Sequence, residues 1–225
     1  MTWNLQGNCG LDVDAAVRVI GADCDLVLLQ EVQPAQLRAL ARELDMPYRH
    51  WSFKHWGFST APEGLGVLSR HSMRVRTRTL TRGVWPWQWQ RRIMQRIRID
   101  GLTFVNTHLA TDRTGQRERV MQIGRLIAAS PGPDYIGGDL NERRGGVLDA
   151  LKALAMRDAW TDCNGALDCF TNWSTADRTG PPDQRLDWIW LGTRLEASSV
   201  RLVEWQRTAE LSDHVPLVVE LRRTD

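Results

Sequence analysis

Cysteine is scarce in this chain of 225 residues, limited to Cys9, Cys24, Cys163 and Cys169. None forms a C-x-x-C pair, which argues against a structural zinc site. A Cys163–Cys169 bridge stays open. No apolar run approaches the roughly 20 residues of a membrane-spanning helix, so no transmembrane segment is expected. No signal peptide precedes the first motif, and the cytoplasm is the expected compartment. The abrupt start at Thr2-Trp3-Asn4 leaves a trimmed leader, a misplaced start codon and hence secretion open. Lysine is nearly missing: Lys54 and Lys152 stand among 29 basic residues. The rest are Arg, which a GC-rich genome would explain and which also suits a bidentate grip on phosphate. With 27 acidic residues the formal charge is +2, too small to select a partner class. No repeat, low-complexity linker or domain boundary is apparent.

What is present fits one α/β domain spanning residues 1–225, since this length is too short for two comfortable ones. Strand-like apolar runs occur at Leu26–Leu29, Gly66–Leu68, Leu102–Leu109, Asp134–Ile136, Leu186–Leu191 and Val215–Leu221. Amphipathic helical stretches occur at Val13–Ile20, Pro34–Leu44 and Gln116–Ala129. Pro34 suits a first helical turn, where its missing N–H does no harm. The pattern suggests two packed sheets with helices outside.

One local shift in composition stands out. From Arg70 to Ile99 there are nine Arg and no acid. Arg74, Arg76 and Arg78 alternate with other residues, so they share one face of a strand. That face is either simply solvated or tracks phosphate. Between two basic strands, Val84-Trp85-Pro86-Trp87-Gln88-Trp89 reads as a loop. Its Trp residues could stack on bases, enter a lipid interface or cap the core. Trp87 is the candidate substrate contact.

Polar residues gather at strand ends, where a sheet can present them to a cleft. They are Asn4, Glu31, His108, Asp139 with Asn141, Asp187, and Asp213 with His214. Carboxylate and amide oxygens suit Mg²⁺, with Mn²⁺ as the alternative. Two His with nearby carboxylates offer acid/base function and charge stabilisation. Each residue alone has an ordinary explanation; Asp187, for example, would serve as an ion-pair partner of Arg185.

The order of the motifs narrows the reading. Thr-Trp-Asn, Leu-Gln-Glu-Val, Gly-Val-Leu-Ser-Arg, Asn-Thr-His-Leu, Gly-Asp-Leu-Asn, Arg-Leu-Asp-Trp-Ile and Ser-Asp-His-x-Pro follow one another from residue 2 to about residue 221. The series resembles the endonuclease/exonuclease/phosphatase superfamily, which includes deoxyribonuclease I, exonuclease III-type repair nucleases, neutral sphingomyelinases and tyrosyl-DNA phosphodiesterases. The resemblance implies a four-layer α/β sandwich, two packed mixed sheets flanked by helices. It implies Glu31 as the main Mg²⁺ ligand, with Asn4 beside it and Asp213 able to approach the metal. Asp139 would orient or deprotonate the attacking water, and Asn141 would contact the phosphate or position that water. His214 would be supported by Asp187, which would fix its tautomer and favour its charged form. His108 would be the second histidine, with Glu63 as its carboxylate partner. Arg91 or Arg92 would contact substrate phosphate.

The resemblance therefore implies a metal-dependent phosphoesterase whose water attacks a phosphodiester; a monomer is the expected state. A nuclease on DNA or RNA is the first expectation, carried by His108, the Arg segment and the Trp loop. A phosphodiesterase or phosphatase on a lipid headgroup or small phosphate is the second, and a non-catalytic binder the third. The short stretch between Gly-Asp-Leu-Asn and Arg-Leu-Asp leaves little room for the insertions of abasic-site repair enzymes.

Overall fold

The computed structural model describes residues 1–7, 10–56, 61–82, 91–111 and 115–224. Its strands are β1 (Thr2–Asn4), β2 (Leu26–Val32), β3 (Tyr48–Trp56), β4 (Pro62–Ser69), β5 (Arg74–Thr81), β6 (Arg92–Ile99), β7 (Leu102–His108), β8 (Tyr135–Asp139), β9 (Arg157–Asp158), β10 (Asp187–Leu191), β11 (Leu195–Leu202) and β12 (Leu217–Arg223). Its helices are α1 (Val13–Ile20), α2 (Pro34–Glu43), α3 (Gln116–Ala129), α4 (Gly146–Lys152) and α5 (Ala159–Asn164). The strands form two six-stranded mixed sheets, in the orders β11-β12-β1-β2-β4-β3 and β5-β6-β7-β8-β10-β9.

Side-chain alternation creates the layers. On β2, Val27 and Leu29 face the core under α1 and α2, with Ala16, Ile20, Leu37 and Leu40. Leu28 between them points the other way, into the core between the sheets, with Val67, Ile97, Phe104 and Ile189. On β7, Phe104 joins that central core, while Val105 packs under α3 and α4 with Ile123, Leu126, Val147 and Leu151. Each fully buried aliphatic side chain stabilises the fold by about 1.5–3 kcal/mol. The outcome is helix, sheet, sheet, helix: the expected four-layer sandwich. Helices α1 and α3 carry the limits read from periodicity. Helix α2 opens on Pro34, and the Gln33 N–H donates to Gln36 Oε1 at 2.9 Å. Cys163 and Cys169 are free thiols, so the bridge left open by the sequence does not form.

A polar seam ties the two sheets together within the core. The Asn106 amide donates to Leu29 O at 3.1 Å, Gly66 O at 3.0 Å and Gln95 Oε1 at 3.0 Å. Gln30 Nε2 donates to Asn106 Oδ1 at 2.8 Å and Thr2 Oγ1 at 3.0 Å. Buried polar groups are costly unless bonded in this way. Gln30 immediately precedes Glu31, and Asn106 lies two residues before His108, so the seam fixes the strand ends that build the site.

Candidate active site

Strand register assembles one wall of the site. His108 is paired with Asp139 in the parallel β7–β8 ladder, and Asp139 with Asp187 in the antiparallel β8–β10 ladder. These three residues therefore form a single row across the end of one sheet. Close packing permits the row: a Cβ on Gly138, at φ 138°, would lie 2.0 Å from Thr107 O.

The other sheet brings Asn4 and Glu31. Asn4 is paired with Gln30 across β1 and β2. The β2–β4 register then shifts between Leu29 and Val32, and Glu31 adopts φ 54°. A bulge of this kind re-aims a side chain, and positive φ in a non-glycine residue is a strained state common at functional sites. The backbone of Gly7 approaches so closely that a Cβ there would meet Glu31 O at 2.1 Å. Asn141 also has positive φ, 50°.

Asp139 is the centre of convergence. Its Oδ2 accepts from Asn4 Nδ2 at 3.1 Å and lies 3.5 Å from His108 Nε2 and 3.7 Å from His214 Nε2. Its Oδ1 accepts from the Asn141 N–H at 2.9 Å. Burial pushes the Asp139 carboxyl up, to about 7, against the pull of the His214 cation and the hydrogen bonds from Asn141 and Asn4. His214 Nδ1 is 2.7 Å from Asp187 Oδ2. Burial alone would lower its pKa, but Asp187, Asp139 and Asp213 together raise it to about 10. The imidazolium is thus the resting form at neutral pH. Asp213 stands at the rim, its Oδ1 4.0 Å from His214 Nε2. Asp187 is not the partner of Arg185, which instead binds Asp158 at 2.6 Å and stacks on Trp188 at 3.6 Å.

Lys54 is the residue that sequence reasoning missed. It projects from β3 and is buried, with Nζ 3.4 Å from Glu31 Oε1 and 3.2 Å from His108 Nδ1. Burial and the Arg92 charge push the ammonium down to about 8, with Glu31 and Glu63 opposing. An ammonium has only donors, so below that pH His108 Nδ1 must accept. The His108 proton is thereby assigned to Nε2, the nitrogen facing Asp139. Burial and the positive charges of Lys54, Arg92 and His214 keep His108 neutral, well below its usual pKa. A useful signal was the rarity of lysine: one of only two in the chain lies here.

Glu63 does not take its expected place beside His108. The β3–β4 register sets it opposite His55, and its Oε2 is 3.4 Å from His55 Nε2. The distance would fit an ion pair. Burial, however, raises Glu63 to about 7, with Glu31 adding, and lowers His55 to about 4, with Lys54 adding. Between those values both groups are uncharged. Lys54 occupies the place beside His108 Nδ1 where a carboxylate was expected, and as a donor it opposes the charged imidazole that a carboxylate would favour.

Arg91 and Arg92 are placed differently. Arg92 is buried, and the carboxylates of Glu31 and Asp139 act on its charge. Arg91 turns to Phe53, donating to its carbonyl and lying 5.4 Å from the centre of its ring. Trp87 lies outside the described residues. Glu31 is lowered overall: Lys54, His214 and Arg92 outweigh its burial. Its carboxylate keeps 26% side-chain exposure.

Residues 1–214 match the model of the Endonuclease/Exonuclease/phosphatase family, and the chain belongs to that family. It is accordingly a hydrolase of the phosphoesterase or nuclease type. Similar solved structures include an endonuclease/exonuclease/phosphatase from Beutenbergia cavernae, at 20% identity and TM-score 0.80, over 99% of this chain and 70% of that one. A functionally unknown conserved protein from Enterococcus faecalis matches at 18% and 0.78, over 99% and 98%. D. rerio TDP2, complexed with a single strand DNA product, matches at 17% and 0.72, over 98% and 97%. These likenesses carry the fold. No curated protein matches the chain.

Proposed function

We propose that the chain is a Mg²⁺- or Mn²⁺-dependent phosphodiesterase that cleaves a nucleic-acid strand by in-line attack of water. The observation that carries this is the convergence of Asn4, His108 and His214 on Asp139 Oδ2 at 3.1, 3.5 and 3.7 Å, beside Glu31. Two imidazole nitrogens and an amide N–H gathered around one carboxylate oxygen are placed to meet the nonbridging oxygens of a phosphate. Asp139, raised by burial, is the base that takes a proton from the attacking water. His214, held charged by Asp187, stabilises the charge that develops on phosphorus-bound oxygen. His108 adds a neutral donor at Nε2, and Asn141 fixes the Asp139 carboxylate.

The donor set fits a hard cation. Lys54 Nζ donates to Glu31 Oε1, and the unprotonated His108 Nδ1 lies 3.6 Å from the same oxygen; Oε2 has no partner among the described residues. Among these residues no group of three or more His, Cys, Asp or Glu side chains could hold a metal unaided. Mg²⁺ asks for less, since it keeps several waters and needs one or two carboxylates. Glu31, with Asn4 and Asp213 near, would hold it, and when bound it would neutralise phosphate and leaving-group charge. Nucleic acid is favoured by the solved complex of D. rerio TDP2 with a single strand DNA product.

A panel of plasmid DNA, single-stranded DNA, RNA, bis-p-nitrophenyl phosphate, sphingomyelin and an inositol phosphate, run with Mg²⁺ or Mn²⁺, tests this. Cleavage of nucleic acid and the small diester, abolished by EDTA, is expected. Turnover restricted to sphingomyelin or the inositol phosphate would overturn the substrate reading, and undiminished turnover in EDTA the metal reading.

A further inference from the structure

Strand β6 leaves the active site at Arg92 and runs outward beside the edge strand β5. In this ladder Arg74 is directly opposite Arg98, and Arg76 directly opposite Arg96. Arg78 follows on the same face, opposite Met94. Like charges placed directly opposite destabilise a sheet. None of these five arginines reaches a carboxylate among the described residues. Other arginines do: Arg157 binds Asp162, Arg185 binds Asp158, Arg194 binds Asp134 and Arg119 binds Glu142. Arg96 Nε is buried with no hydrogen-bond partner among the described residues, although buried polar atoms nearly always have one.

We propose that this face of the β5–β6 ladder is a second, non-catalytic anchoring surface for the phosphate backbone of a nucleic-acid strand. The inference rests on the nucleic-acid reading of the active site. Alternate residues of a strand are about 6.8 Å apart, so Arg74, Arg76 and Arg78 offer a regular row about 14 Å long. The row continues from Arg92, about 20 Å along β6 from Arg98. The exposed positions of β5 are all Arg or Thr, and no exposed large apolar side chain belongs to β5 or β6. That composition suits a polyanion in water and gives nothing to insert into a bilayer.

The test compares the wild type with the triple variant Arg74→Thr/Arg76→Thr/Arg78→Thr, in which Thr suits a strand. A control variant, Arg38→Gln/Arg201→Gln/Arg222→Gln, removes equal charge at other exposed positions. Binding of a fluorescein-labelled single-stranded oligonucleotide is followed against salt, alongside hydrolysis of bis-p-nitrophenyl phosphate. The slope of log affinity against log salt should become shallower by about 2 in the triple variant, at about 0.7 per lost phosphate contact. The control should change it far less, and hydrolysis of the small diester should be unchanged. A wild-type slope in the triple variant, an equal loss in the control, or no wild-type binding at all overturns the proposal. So does a loss confined to binding of anionic phosphatidylserine vesicles. Arginine-dependent binding of an oligonucleotide that the enzyme never cleaves would sustain the anchoring surface and sink the nuclease reading instead.

Discussion

At its first residue β6 delivers Arg92 to a cluster containing Glu31 and Asp139; four residues later it sets Arg96 against Arg76, and then Arg98 against Arg74. The two ends of the strand thus treat charge in opposite ways. In the site, cations and carboxylates interleave in a buried space, with Lys54 on Glu31 and His214 on Asp187. Desolvated charges persist only when paired and bonded, and removing one partner is then expensive. On the ladder Arg74, Arg76, Arg78 and Arg98 are exposed and Arg96 is half-buried, and none of them meets a carboxylate among the described residues. Substitutions should therefore act with opposite sign: those in the site cost activity or stability, whereas those on the ladder gain stability and lose only binding.

Asp139→Asn is expected to have the largest effect, a loss of about 10²- to 10⁴-fold in turnover of a diester with an unchanged circular dichroism spectrum. Asp187→Ala should come next, leaving a buried imidazole without its partner at a cost of about 3–5 kcal/mol in denaturant unfolding. The pH dependence has a definite sign. His214 titrates near 10 in the fold against 6.5 normally. The stability from its charged form is fully present below pH 6.5 and is lost as pH rises through about 10. The gap between wild type and variant should close over that window; a gap constant with pH would place the stabilisation elsewhere. Lys54→Met frees the His108 tautomer and should cost about 10- to 100-fold in activity, as supporting partners of site ligands commonly do. Arg76→Thr should have the smallest effect and the reverse sign. Thermal unfolding at low salt should show a gain of about 0.2–1 kcal/mol, fading as salt screens the opposed pair.

Sequence periodicity revealed α1, α3 and the apolar strands because their side chains alternate between two cores or face one. It missed β3, where Tyr48–Trp56 is mostly polar and aromatic and half exposed. Lys54 was missed with it, since a lysine in an unrecognised strand reads as surface. The placement of Asn4, Glu31, His108, Asp139, Asp187 and His214 within one cluster was legible from motif order. The partner of His108 was not, because the β3–β4 register decides it. That register gives Glu63 to His55 and brings Lys54 to His108. That Arg92 rather than Arg91 is buried beside Glu31 and Asp139 was likewise not legible, since Arg91 is held at Phe53. The alternation of Arg74, Arg76 and Arg78 was visible in the chain, but the opposition of Arg74 to Arg98 and Arg76 to Arg96 needed the pairing of two strands separated in sequence by residues 82–91.

The most direct test of the account is a Mg²⁺ titration of diester hydrolysis in the wild type and in Glu31→Gln. Wild-type activity should be absent without metal and saturate with it, while the variant should require much higher Mg²⁺ to reach any turnover. Superimposable titration curves for the two proteins, or wild-type turnover that needs no metal, would contradict it.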